Sequence, residues 1–201
     1  MLPRGEFSPM LAVPYRETLV RYPCFIQPKL DGFRAYYRDG YLHSRNGHRW
    51  DAKVFAHITG RLREVVPSGA VLDGELYRHG WPFERIAQAL SLLRKEPTED
   101  LFEIGFYVFD SPSELCFGER SEFCRKLVKK IRHSHVQVVP LEDVSGREVA
   151  DELHVRNLGC GFKGTIYRRA GCGYQFGRSE RLLKRKEKEK RLECAGRFRY
   201  T

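Results

Sequence analysis

The chain has 201 residues, of which 41% are hydrophobic and 31% charged, so it can bury a core without disulfide or metal support. No apolar run reaches the roughly 18 residues of a membrane span, and no secretory signal opens the chain, so we expect an intracellular, cytoplasmic protein. The six cysteines form no C-x-x-C pair, which favours reduced thiols. A net charge of +10 favours a polyanionic partner, although a basic solvated surface would give the same charge.

The first half of the chain predicts a hairpin, two helices and a strand. Residues 23–46 alternate apolar and aromatic positions around Asp39-Gly40, which is a strong hairpin signal. Asp51 is the expected N-cap of the first helix, and residues 70–78 predict a strand before a turn at His79-Gly80. The apolar positions that mark the two helices are Val54, Phe55, Ile58, Leu62 and Val65, then Phe83, Ile86, Ala87, Leu90 and Leu93.

The second half predicts a central strand over residues 101–110, whose carboxyl end should face a site. A third helix is marked by Phe123, Leu127, Val128 and Ile131. A capping box at Ser145 and Glu148 predicts a fourth helix that ends near Gly159, between short strands at 136–140 and 164–168. Because these elements lack a regular βαβ order, the predicted fold class is α+β, built on antiparallel sheets.

The segment from Lys29 to Arg34 (Lys29-Leu30-Asp31-Gly32-Phe33-Arg34) lies between two predicted strands and has residues suited to phosphoryl chemistry. A lysine attacks phosphorus only as the neutral amine, which neighbouring cations or a metal ion favour. Gly32 allows close approach of the backbone to a ligand, and the guanidinium of Arg34 suits an oxyanion. A hairpin that carries surface charges would have the same pattern.

Further motifs follow this segment in order: Ser44-Arg45-Asn46-Gly47, Leu72-Asp73-Gly74-Glu75-Leu76, Phe106-Tyr107-Val108-Phe109-Asp110, Phe162-Lys163-Gly164-Thr165-Ile166-Tyr167-Arg168 and Leu182-Leu183-Lys184-Arg185-Lys186. With this ordered set the chain resembles the covalent nucleotidyltransferases. Within that superfamily it is most similar to the small phage and bacterial ATP-dependent DNA ligases. The resemblance covers essentially the whole chain and is far more specific than any single motif.

The resemblance implies a nucleotidyltransferase fold, with antiparallel sheets flanked by helices and the nucleotide in a groove between them. Residues 1–190 would form this adenylation domain, and residues 191–201 a basic tail or the stub of an OB-fold domain that a separate chain could supply. Lys29 would attack the α-phosphorus of ATP, expel pyrophosphate and hold AMP. The AMP would then pass to the 5′-phosphate of nicked double-stranded DNA, with RNA-containing nicks as an alternative substrate and no membrane partner.

The resemblance also assigns roles to residues around the nucleotide. Arg34 and Arg45 would contact phosphates or ribose of the nucleotide or the nicked strand. Glu75 would bind the ribose hydroxyl or position a metal ion, Mg²⁺ or Mn²⁺. Phe106 would stack on adenine, whereas a place in the buried core of its strand is the alternative. The ATP, the divalent ion and these contacts are expectations from the family.

Two lysines near the end of the chain would neutralise charge on the α-phosphate during transfer. Lys184 and Lys186 are two residues apart, so both side chains should lie on one face of a strand. A basic, solvated tail is the alternative interpretation of this segment.

One position departs from the family pattern. The family has an acidic residue, usually Glu, immediately before the glycine that is Gly164 here, and this chain has Lys163. An ammonium there removes a metal ligand and repels Mg²⁺. Three explanations remain open: an enzyme with another ligand, a homologue that binds without catalysis, or a Glu-to-Lys variant. The functional alternatives are an RNA ligase and a catalytically silent nucleotide- or nick-binding module.

Overall fold

The computed structural model describes residues 7–91 and 96–187, which form two five-stranded sheets with five α-helices. The strands are β1 Met10–Pro14, β2 Cys24–Pro28, β3 Phe33–Arg38, β4 Tyr41–Ser44, β5 Leu72–Tyr77, β6 Gly105–Asp110, β7 Val136–Val138, β8 Glu142–Val144, β9 Gly164–Arg169 and β10 Gly177–Lys186. The helices are α1 Ala56–Val65, α2 Phe83–Ala89, α3 Glu99–Phe102, α4 Phe117–Ile131 and α5 Arg147–Gly159. Among the described residues, no helix has the length and apolar character needed to cross a membrane.

The first sheet has the strand order β1-β10-β9-β2-β8. Strand β1 runs parallel to β10, and the other neighbours are antiparallel. The β2–β9 ladder continues beyond Pro28, because the Lys29 amide donates to the Gly164 carbonyl (2.9 Å) and the Lys163 amide donates to the Lys29 carbonyl (3.0 Å). The backbone of Lys29 is therefore held in the sheet from both sides.

The second sheet has the order β4-β3-β5-β6-β7, with a parallel pair only between β6 and β7. The predicted hairpin is confirmed as β3 and β4, which are joined at Asp39 and Gly40. Both residues have left-handed backbone angles, with φ of 49° and 88°, as a tight type I′ turn requires. The α+β fold class is confirmed, and its sheets are mainly but not wholly antiparallel.

Apolar faces of the helices cover the two sheets. The larger core packs α1 and α4 against the second sheet, where Ile58, Leu76, Phe106 and Ile131 are fully buried. A smaller core lies between α5 and the first sheet. Each fully buried aliphatic or aromatic side chain contributes roughly 1.5–3 kcal/mol by leaving water, so the cores stabilise both walls of the groove between the sheets.

A buried ionic network joins the two sheets. Asp110, at the end of β6, accepts from Arg120 Nε of α4 (2.7 Å) and from Arg168 Nη1 of β9 (2.8 Å). Arg168 also donates through Nε to Gln27 Oε1 of β2 (2.6 Å). All four side chains are buried. Since buried charges are retained only when paired, this network fixes the second sheet against the first.

Three local predictions were wrong. Residues 101 and 102 belong to the short helix α3, so strand β6 starts only at Gly105. Helix α1 has Phe55 at its N-cap, because Asp51 instead closes a turn by accepting from the Lys53 amide (2.7 Å). Helix α5 has Gly146 at its N-cap with no side-chain cap, so the predicted capping box does not form.

The remaining elements largely follow the predictions. Helix α5 ends at Gly159, and the expected strands at 70–78, 136–140 and 164–168 are present as β5, β7 and β9. Strand β8 was not predicted. Leu93 of the second predicted helix and residues 188–201, with the expected tail or OB-fold stub, lie outside the described residues.

Candidate active site

Lys29 lies at the end of β2, where the groove between the two sheets is lined by polar side chains. Its Nζ donates to the carbonyl of Leu30 (2.9 Å). Burial lowers the pKa of the Lys29 ammonium below its usual value, Glu75 and Asp31 oppose that change, and Lys186 and Lys184 reinforce it. A lowered pKa raises the fraction of neutral amine, which is the form that acts as a nucleophile.

Glu75 of β5 lies opposite Lys29 in the same groove. Its Oε1 accepts from the Gly32 amide (2.8 Å). Burial raises the pKa of Glu75, whereas the Gly32 hydrogen bond and the charge of Lys29 lower it. A Cβ at Gly32 would stand 2.3 Å from the Leu76 carbonyl oxygen, so only glycine allows this contact between the Lys29 loop and β5.

Arg34 of β3 is held by a bidentate ion pair with Asp73 of β5. Its Nη2 also donates to the Met10 carbonyl (3.0 Å), and its guanidinium lies 4.7 Å from the ring centroid of Phe109. Tyr174 donates to the same Asp73 carboxylate (2.6 Å). Arg34 therefore lines the groove as a fixed cation, and its Nη1 is the atom without a partner among the described residues.

These side chains border one cavity of about 950 Å³ between the two sheets. It brings together the predicted residues Lys29, Arg34, Arg45, Glu75 and Lys184. Aromatic and aliphatic walls complete it, contributed by Phe33, Trp50, Phe83, Leu90, Phe109, Val139 and Ile166. An apolar cleft with a few convergent charged groups is the usual form of a small-molecule site, and its size suits a nucleotide.

The structure places Phe106 in the buried core of its strand, which was the alternative to stacking on adenine. Phe106 is fully buried in the core beneath the second sheet and does not line the cavity. Its ring packs against Gly74, where an added Cβ would lie 2.6 Å from it. Phe109, three residues further along β6, lines the cavity, and its ring centroid lies 4.7 Å from the Arg34 guanidinium and 5.1 Å from the Arg168 guanidinium. Of the two phenylalanines in this motif, Phe109 therefore lies on the face of the strand that meets the cavity.

A second cavity, of about 790 Å³, is lined by Asp31, which follows Lys29 and Leu30 in the loop. Lys163 and Lys186 both line this second cavity, whereas Lys184 lines the first. The Lys163 Nζ lies 3.2 Å from Asp31 Oδ2, and 55% of the Lys163 side chain is exposed. Lys184 and Lys186 both belong to β10, but they border different cavities on the two sides of the Lys29 loop.

The residues near Lys29 do not fit a metal ion held at position 163. Of the carboxylates there, Asp31 is paired with Lys163, and Glu75 already accepts from the Gly32 amide. Within residues 7–91 and 96–187, no three His, Cys, Asp or Glu side chains form a group that could hold a metal. Glu75 lies in the cavity of Lys29 and is the carboxylate there that suits a hard cation shared with a phosphate.

Comparison with solved structures places the fold among DNA ligases. One similar structure is of Lig E DNA ligases and is described as DNA binding with a minimal scaffold; it shares 27% sequence identity with this chain at a TM-score of 0.74. The match covers 90% of this chain and 68% of that one. Chlorella virus DNA ligase-adenylate gives 26% identity and a TM-score of 0.72, with 90% of this chain on 67% of that one. Pmar-Lig_PreS3 shares the fold, with 23% sequence identity and a TM-score of 0.77. That match covers 90% of this chain and 47% of the other. Curated proteins gave no match.

A partly buried lysine between two sheets, with a carboxylate and a lysine of β10 in the same cavity, is an arrangement suited to nucleotidyl transfer. The family model for the ATP dependent DNA ligase domain matches residues 9–186, which include both sheets and every residue of the first cavity. The chain therefore belongs to the ATP-dependent DNA ligase family and is a ligase adenylation core.

Proposed function

We propose that this chain transfers AMP from ATP to Lys29 and then to the 5′-phosphate of nicked double-stranded DNA. The observation that carries this proposal is the partly buried Lys29 amine, with its lowered pKa, in a nucleotide-sized cavity that also holds Glu75 and Lys184. An amine whose pKa is lowered by burial, beside other cations, is suited to attack on a phosphate.

In the first step the lone pair of Lys29 Nζ attacks the α-phosphorus of ATP. A nitrogen–phosphorus bond forms, the bond from the α-phosphorus to the bridging oxygen breaks, and pyrophosphate leaves while the amine loses a proton to solvent. Lys184 lies in the same cavity, where its ammonium stabilises charge on the α-phosphate. Mg²⁺ or Mn²⁺ would accompany the phosphates, with Glu75 as the carboxylate of this cavity available to it.

Other side chains of the cavity would hold the nucleotide. We propose that Phe109 stacks on adenine, since its ring lines the cavity and is fixed by Arg34 and Arg168. Glu75 would also accept from a ribose hydroxyl. Arg45 is exposed at the mouth, where it would meet phosphates of the nucleotide or of the nicked strand.

In the later steps the AMP would activate the 5′-phosphate, and the neighbouring 3′-hydroxyl would displace it to seal the strand. The net charge of +10 supports binding to DNA through phosphate contacts. A cytoplasmic location, where ATP and DNA are accessible, belongs to the same proposal. Adding a separate OB-fold chain and measuring nick sealing, rather than Lys29 labelling, tests whether such a chain assists.

The test is incubation with α-labelled ATP and Mg²⁺, followed by denaturing electrophoresis. Label should remain on the wild-type band and be lost in Lys29→Ala. It should persist in Lys126→Ala, which changes an exposed lysine of α4 that lines neither cavity. Absence of label from the wild type under all metal conditions would refute the proposal and favour a silent binding module, which Lys163 makes the second candidate. Nicked DNA and nicks with RNA strands then separate a DNA ligase from an RNA ligase.

A further inference from the structure

Lys163 gives the chain its own positive charge at a position where the family has an acidic residue. An acidic residue that holds a divalent ion contributes a net charge of +1, because its single negative charge offsets half of the ion's two. The ammonium of Lys163 contributes the same net charge without an ion. The reversal from acid to lysine therefore preserves the charge of a metal-loaded position, although it removes the ligand.

The geometry places this ammonium where a cation would be useful. The Lys163 amide donates to the Lys29 carbonyl (3.0 Å), which fixes its Cα beside the nucleophile. Gly164, the next residue, accepts through its carbonyl from the Lys29 amide (2.9 Å), and a Cβ at Gly164 would clash with the Arg185 carbonyl oxygen. The Lys163 side chain then reaches Asp31, two residues from Lys29.

The contact between Lys163 and Asp31 matters because the Asp31 carboxylate affects the charge state of Lys29. Together with Glu75, it is one of two carboxylates whose charge favours the protonated, unreactive form of Lys29. A cation at Asp31 offsets that effect, and the other two charged side chains that line the second cavity, Lys186 and Glu187, have opposite charges. Mg²⁺ is usually bound through one or two carboxylates, and Asp31 is the carboxylate in contact with the side chain at position 163, where an ion held by an acid would meet it.

We propose that the Lys163 ammonium is a tethered substitute for a divalent cation beside Asp31, so that this chain requires one metal ion fewer than a relative with an acid at this position. The inference rests on the proposed adenylation of Lys29. It differs from that proposal in predicting a metal-binding property that is measurable without ATP.

The first experiment titrates Mn²⁺ into the nucleotide-free protein and measures bound ion by electron paramagnetic resonance. Lys163→Glu should gain a Mn²⁺ site at least about tenfold tighter than any site of the wild type, since a direct ligand matters more than the outer partners of a metal. Charge-matched Lys126→Glu should gain none. Adding Asp31→Asn to Lys163→Glu should abolish the new site. Because the Lys163 side chain is 55% exposed, these variants should fold, and thermal melting checks that they do.

Two results would overturn the inference. Equal Mn²⁺ affinity in the wild type and Lys163→Glu would mean that the lysine does not occupy a cation position. Retention of the new site after Asp31→Asn would place the ion elsewhere. Lys163→Gln, which removes the charge without adding a ligand, should bind Mn²⁺ only slightly better than the wild type.

The second experiment measures Lys29 labelling against free Mg²⁺ at a fixed concentration of the magnesium–ATP complex. The wild type should be independent of free Mg²⁺, whereas Lys163→Glu should need additional free ion to reach its maximum. The same free-Mg²⁺ dependence in both proteins would contradict the inference. Complete absence of labelling would instead refute the proposed function, and the Mn²⁺ titration would still decide the role of Lys163.

Discussion

Replacement of Asp110 by asparagine should loosen the junction between the two sheets. The carboxylate is fully buried and neutralises Arg120 and Arg168, whose side chains are 2% and 6% exposed. Asparagine has nearly the same shape, so the substitution removes charge with little change in packing. Two guanidinium groups from different layers would then remain buried with no carboxylate between them.

The magnitude follows from the burial of all three groups. Removing one partner of a buried ion pair costs roughly 3–5 kcal/mol, and the remaining amide oxygen of asparagine can still accept from one guanidinium, so about 3 kcal/mol is expected. For a chain of this size each kcal/mol corresponds to roughly 2–4 °C, which gives a fall in Tm of about 6–12 °C.

Thermal and urea unfolding, followed by circular dichroism, measure this difference. Glu122→Gln is the matched control, because Glu122 also pairs with two basic side chains but on the exposed face of α4, where water screens the pairs. A Tm of Asp110→Asn equal to that of the control would refute the argument that this network joins the sheets. A further Arg168→Met change should recover part of the loss, since it removes one uncompensated charge.

Three other outcomes are expected. Phe109→Ala should weaken ATP binding, measured by calorimetry, with little loss of stability. Phe106→Ala should instead lower the free energy of unfolding by about 3–5 kcal/mol. The reverse pattern would favour Phe106 as the adenine contact. Burial and nearby His135 lower the pKa of His57 to about 4. The folded protein therefore takes up this proton less readily than the unfolded chain, so the free energy of unfolding should be highest above pH 6.5 and fall as the pH is lowered towards 4. Urea titrations should show a loss of at most about 2 kcal/mol between pH 7 and pH 5, which His57→Phe removes. The rate of Lys29 labelling should rise with pH and level off below the usual lysine pKa; a rise that continues to the usual value would contradict the effect of burial.

Local sequence patterns predicted many elements because local chemistry determines them. Asp39-Gly40 supplies the two left-handed residues of the hairpin turn, and Gly159 marks the end of α5. The order of the motifs also placed Lys29, Glu75 and Lys184 in one site, and the cavity contains all three. These predictions depended on the identity and order of residues and required no knowledge of distant pairing.

The position of Phe106 in the core shows what a local pattern leaves undetermined. Along β6, Phe106 and Val108 are fully buried, whereas Tyr107 and Phe109 are half-buried. A period of two separates the faces of the strand, but it does not say which face meets the core and which lines a cavity. That choice depends on α4 and on the opposite sheet, which the strand's own sequence does not describe.

Contacts between distant segments were beyond sequence reasoning for the same reason. The pairing of Arg34 with Asp73 and Tyr174 requires the register of β3 against β5 and the return of the chain after β9. Lys163 was recognised as a departure from the family, but its contact with Asp31 depends on the ladder between the Lys29 and Gly164 backbones. Each contact follows from strand pairing across long sequence separations.

The parallel pairing of β1 with β10 bears on how the site is made during synthesis. Met10 donates its amide to Tyr174, 164 residues away, and β10 carries Lys184 into the first cavity. A nascent chain on the ribosome therefore has Lys29 early but acquires the opposing cation only after β10 has emerged. Folding of this sheet waits for contacts that close a very long loop, which slows it relative to the local hairpin. Lys29 and Glu75 are thus translated well before Lys184, and the cavity lacks this cation until nearly all of the described chain has been synthesised.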